Sequence, residues 1–306
     1  MLKLGPVSFD AVPPAAMATR PAALGVAAWI LLLGGSVASS CAAFGDRNSA
    51  FEANTSETAR RDAVRAMPFD KLSATDKARV ESVIADVSIF RRMPTRVIDC
   101  EPALYLFLVR HPDVVVNIWE IMKASRLKVR QTGPAQFQVT EAGGTVANME
   151  ILCSSRDTQL VYGEGTYQGP LFARAIRGRA VLLLKTATAR DADGRFHITS
   201  RLDSFVSIEP GGIELLTKTI HPIIGKTADN NFIQTLNFVG SLSRTIETNN
   251  RGVQRLATRL EHVPPPVRTQ FAELAASLGQ KATAAADSDK PSGDETAARL
   301  QGTSDR

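Results

Sequence analysis

Glu164 lies in the run VYGEGTY, between Gly163 and Gly165 and two residues from Tyr162. A carboxylate so placed inside a cavity can hold the polar end of a ligand or act as a general base. Period-two alternation puts Tyr162, Glu164 and Thr166 on one face of a strand, and Val161, Gly163, Gly165 and Tyr167 on the other. The plainer reading is a solvent-facing glutamate on a bent strand. His197, Arg201 and Asp203 share one face of RFHITSRLDSFVSI, opposite Phe196, Ile198, Leu202 and Val206. Such a row is either a polar cluster in a pocket or the outer face of a half-buried strand laced by cross-strand ion pairs. Arg174, Arg177 and Arg179 can attract an anion or form a solvated loop. Asp99-Cys100-Glu101 sets a thiol between two acids, but no basic neighbour lowers its pKa, so it reads as structural. His111, His197, His221 and His262 are scattered and no Cys/His pair has zinc spacing, so neither a metal nor a cofactor is expected.

Three aromatic side chains and one glycine complete the candidates. Trp119, with Phe107 and Tyr105, lies on helical stripes that line the mouth of a pocket or simply pack the core. Gly240 interrupts a long helix at a cost of about 1 kcal/mol relative to alanine. Something approaches the backbone closely there, either a strand or a ligand.

The elements that must position these residues follow from periodicity. Phe232, Leu236, Val239, Leu242 and Ile246 recur at three and four residues, predicting a helix over 229–248 capped at Thr227 or Asp229. Upstream, the chain alternates from Leu127 to Ile208 in five or six segments, with turns at Gly133-Pro134, Gly143-Gly144 and Asp193-Gly194. Gly163 and Gly165 predict a bulge or bend within one of these strands. Before them, SATDKARVESVIADVSIF reads as a helix from Ser73 to Phe90. Residues 102–122 read as two short helices kinked at His111-Pro112. A further helical pattern spans 251–278, and an Ala/Ser/Asp/Lys-rich tail expected to be disordered spans 279–306. An amphipathic helix arriving after a block of strands buries its stripe on the sheet just made, which gives an α+β fold.

The N-terminus carries an address. Residues 22–33, AALGVAAWILLL, follow Arg20 and precede the small residues GGSVASSCAA. This is a secretory pattern, with 1–43 as the signal, translation starting at Met17, and a polar tether over 44–72. Ser39-Ser40-Cys41 leaves lipidation open, and an uncleaved membrane anchor is the third alternative. Export permits a disulfide between Cys100 and Cys153, and two separate buried thiols are the alternative. The net charge of +5 is dispersed, and only 6% of the residues are aromatic. Both features argue against a nucleic-acid binder that stacks bases.

Short kinked helices, an antiparallel meander and a long C-terminal helix make up residues 95–250. In element order this stretch resembles the START-like, or helix-grip, superfamily, and uncharacterised exported bacterial proteins of that shape. The resemblance implies a curved sheet wrapped around the last helix and a cavity for a hydrophobic or amphipathic small molecule. Arg96-Val97-Ile98 is the only segment available for the strand that precedes the first helices in many such proteins. Three functions remain: a binding module, an envelope protein with a filled core, and a cyclase- or hydrolase-like enzyme using Glu164 or His197.

Overall fold

The computed structural model describes residues 52–168, 175–209 and 221–288. The apolar N-terminal run, Met17, Cys41, Arg174 and the residues beyond 288 lie outside them. The meander is present as β3 (Leu127–Gly133), β4 (Gln136–Glu141), β5 (Thr145–Ser154), β6 (Thr158–Tyr167), β7 (Ile176–Arg190) and β8 (Phe196–Ile208). Two short strands precede it, β1 (Ile89–Arg92) and β2 (Arg96–Asp99). The sheet runs β1-β8-β7-β6-β5-β4-β3, with β2 also paired to β8 and every pairing antiparallel.

β1 and β2 are two halves of one edge. β1 pairs with Asp203–Val206 and β2 with His197–Ser200, while Met93 between them donates its N–H to the Leu202 carbonyl at 2.8 Å. Pro94, without an N–H, fits the break. This changes one expectation. Helix α2 (Ala74–Ala85) is capped by Ser73 as predicted but ends at Asp86, and Ile89–Arg92 is strand. The edge of β8 offers Ile89-Phe90 backbone partners that local periodicity does not register.

Helices α3 (Pro102–Arg110) and α4 (Pro112–Ile121) meet at the His111-Pro112 kink. The long helix α5 (His221–Thr248) starts before the expected cap. Thr227 and Asp229 lie within it, and Asp229 instead accepts a bidentate pair from Arg91 of β1, with Nε at 2.7 Å. All five stripe residues of α5 are buried, from Phe232 to Ile246. They join inner-face residues of the sheet and α3–α4 in the main core, which is a helix-grip arrangement. α6 (Asn250–Thr258) and α7 (Pro265–Ser288) close its open side through Val253, Leu256, Phe271 and Ala275. α7 continues past Gly279, where the sequence reading begins a tail.

A second core lies on the outer face. Helix α1 (Glu57–Arg65) occupies part of the segment read as a tether. Ala59, Ala63 and Met67 recur every four residues and pack with Val80 and Val83 of α2 onto Leu160, Val181, Leu183 and Phe205. Small side chains made this stripe faint in the sequence, yet they let the helix lie close to the strands.

Candidate ligand-binding cavity

Between sheet and α5 lies a cavity of about 90 Å³. Its floor is Met149 and Ile151 of β5, Val161 of β6, Leu182 and Leu184 of β7, and Leu202 of β8. Its roof is one face of α5, from Phe232 through Leu236 to Val239. Leu108, Val109, Pro112 and Val115 form the wall where α3 meets α4. Alternation on the strands and the α5 stripe are the local reasons these side chains converge.

Three polar residues complete the described lining, and each is already engaged. The Tyr105 hydroxyl lies 2.7 Å from Ser200 Oγ and 3.3 Å from Thr186 Oγ1, and burial pushes its pKa up. Gln159 Nε2 donates to the Val109 carbonyl at 2.6 Å, and its Oε1 accepts from Ser154 Oγ at 3.2 Å. Thr235 Oγ1 donates to the Asn231 carbonyl at 2.8 Å. Such a lining favours an apolar guest, because it gains by leaving water and no lining group loses a partner.

Most of the candidate residues lie elsewhere. Tyr162 and Glu164 are on the outer face, where the Tyr162 hydroxyl donates to Glu164 Oε2 at 3.0 Å. The Arg79 guanidinium sits 4.1 Å above the Tyr162 ring and reaches Asp76 and Glu150, each at 2.9 Å. Burial and then Glu164 raise the tyrosine pKa. His197 is also outside, with Nδ1 2.9 Å from Asp99 and Nε2 2.9 Å from Asp191. Two carboxylates at that distance favour the form in which both ring nitrogens donate, the imidazolium. Its pKa is raised, chiefly by the Asp191 hydrogen bond. Arg201 flanks Asp203, which is fully buried and held by Arg92 at 2.6 and 3.2 Å. The row on β8 is therefore an outer face with ion pairs. Neither Glu164 nor His197 can act as acid or base on a guest in the cavity.

The remaining candidates are packing features. Trp119 meets Phe238 edge-on at 5.6 Å and does not line the cavity, while Phe107 stacks on Phe271 at 5.8 Å. Only Tyr105 of that trio faces the space. At Gly240 the close neighbour is a strand: a Cβ would stand 3.3 Å from the Asp99 carbonyl. Arg179 reaches Ser82 at 3.0 Å and Asp86 at 3.4 Å on α2, and Arg177 is exposed.

Of the two alternatives for the cysteines, the structure has separate thiols: Cys100 and Cys153 are both free. Cys100 belongs to the inner core and Cys153 packs against the outer one. The cause is a bulge in β5 between Ile151 and Cys153, which turns Cys153 away from the face that strict alternation assigns it. The irregularity predicted at Gly163 and Gly165 falls on the neighbouring strand, while those glycines pair in register. Burial pushes the Cys100 thiol up to about 12.

Asp113 was legible only as the opening of α4. It is fully buried, neither carboxylate oxygen has a partner, and desolvation raises its pKa from 3.8 to about 6. Its neighbour Pro112 faces the cavity, whereas Asn117, four residues on, faces His262 beyond α6.

No protein-family model matches the chain, and no curated protein matches it. Among solved structures, a hypothetical protein from Helicobacter pylori is similar at 12% identity, covering 47% of this chain and 84% of its own, with a TM-score of 0.32. A conserved protein from Geobacillus kaustophilus is similar at 11% identity over 49% and 93% of the two chains, TM-score 0.34. Norcoclaurine synthase from Thalictrum flavum is similar at 9% over 47% and 94%, TM-score 0.25.

Proposed function

We propose that this protein is an exported binding module that holds a small, largely apolar molecule between its sheet and α5. The observation that carries the reading is the cavity itself, whose described lining is aliphatic except for three polar residues bonded to their own neighbours. At about 90 Å³ it suits a short chain or a single ring rather than a multi-ring lipid. The apolar run at 22–33 supports placement in the cell envelope or beyond it. The test is native mass spectrometry of the protein purified from its host's envelope, followed by extraction of small molecules. The expected result is a stoichiometric adduct of low mass. A bare polypeptide that also binds no apolar probe in solution would move the reading to an envelope protein with a filled core.

A further inference from the structure

One row of side chains that contributes to the cavity floor continues past the lining to a polar residue. The register aligns Ile151 with Val161, Val161 with Leu182, Leu182 with Ser204 and Ser204 with Arg91. The first three line the cavity. Ser204 is next along the same face, with its Cβ about 5 Å from that of Leu182 as for any cross-strand pair. It also follows Leu202, another lining residue, by two positions. Ser204 is 1% exposed, and its hydroxyl has no hydrogen-bond partner. A buried hydroxyl in that state forfeits the bond it would make to water.

Arg91, beyond it, is not available to a charged guest. Its guanidinium is neutralised by the bidentate Asp229 carboxylate and lies against Gly225, where a Cβ would come within 2.8 Å of Nη1. A ligand carboxylate brought here would add a second anion to a pair already balanced, and an uncompensated buried charge is costly. A neutral oxygen would not.

Building on the cavity reading above, we propose that the guest carries one neutral hydrogen-bond acceptor, a hydroxyl or a carbonyl, placed to accept from Ser204 Oγ. Ser204 thus sets ligand class, and the aliphatic lining sets size. The probes are 1-hexanol, its hydroxyl-less match n-hexane, and hexanoate at pH 8, each competing against benzene whose binding is followed by saturation-transfer NMR. Wild type is expected to bind hexanol about fivefold more tightly than Ser204→Ala does, with hexane affinity equal in the two proteins and hexanoate weakest. Ser204→Thr, which keeps the hydroxyl, is expected to retain the alcohol preference. Equal hexanol affinity in wild type and Ser204→Ala, or hexanoate as the best competitor, overturns the assignment while leaving the cavity reading intact. No binding by benzene or hexane to correctly folded wild type overturns both.

Discussion

Replacing Asp113 by asparagine separates the charge of a buried carboxylate from its shape. The group is wholly enclosed and unpartnered, and its pKa is raised from 3.8 to about 6 by desolvation. A raised acid pKa means the folded state holds more protons than the unfolded state between those two values, so stability falls as pH rises through that window. The rise corresponds to about 3 kcal/mol, absent by about pH 3 and fully expressed by about pH 7. Urea unfolding of wild type and Asp113→Asn at pH 4, 5, 6, 7 and 8 measures it. Other titrating groups are common to both proteins, so the difference between the two curves isolates this one. The variant is expected to gain about 2.5 kcal/mol on wild type between pH 4 and pH 8, most of it between pH 4 and pH 6. Curves that stay parallel over the whole range would refute the reasoning, because they would mean that Asp113 reaches water or a cation in the folded protein.

Asp203→Ala strands the Arg92 guanidinium against the outer core, and chemical denaturation should show a loss of about 3–5 kcal/mol. Leu184→Trp fills the cavity, so benzene binding followed by NMR should be lost while the circular dichroism spectrum is retained. The His197 ring should titrate above the ordinary histidine range by NMR and move down toward it in Asp191→Asn. Its contribution to stability is complete below the ordinary value and is lost as pH rises through the folded one. Alkylation followed by peptide mapping should label Cys153 in the native protein and Cys100 only after unfolding, since burial holds the Cys100 thiol protonated.

Much of the architecture was legible because it is written in local period. The α5 stripe and the meander rest on spacings of 3.6 and 2, which survive whatever the chain packs against. Inside and outside were harder to tell apart. On β6 and β7 both alternating sets are buried or half-buried, Leu160, Tyr162, Val181 and Leu183 outward and Val161, Leu182 and Leu184 toward the cavity. Polar contrast, the usual guide to orientation, is weak where helices cover both sides. An inward Tyr162 and Glu164 stayed open beside the plainer solvent-facing reading for that reason. The bulge at Leu152 was invisible because it adds a residue without a glycine to mark it. β1 needed a partner over a hundred residues away. Ser204 did leave a trace: with Ser200 it is one of two hydroxyls on the face it shares with Ile198, Leu202 and Val206. The His197 row drew the eye because it is charged, and charge is what an outer face carries.

The second core has a mechanical consequence. Where α1 and α2 lie on the outer face, β6–β8 form the middle of a three-layer slab, and close-packed interiors compress little and transmit strain. On the outer face of β3 and β4, Lys128, Arg130, Gln136 and Gln138 are exposed and the slab has only two layers. Bending is cheaper in the thinner half. Any widening of the space beneath α5 is accordingly a hinge of the β3–β4 flap against a rigid plate, with the floor around Leu182 and Leu202 acting as the fixed jaw.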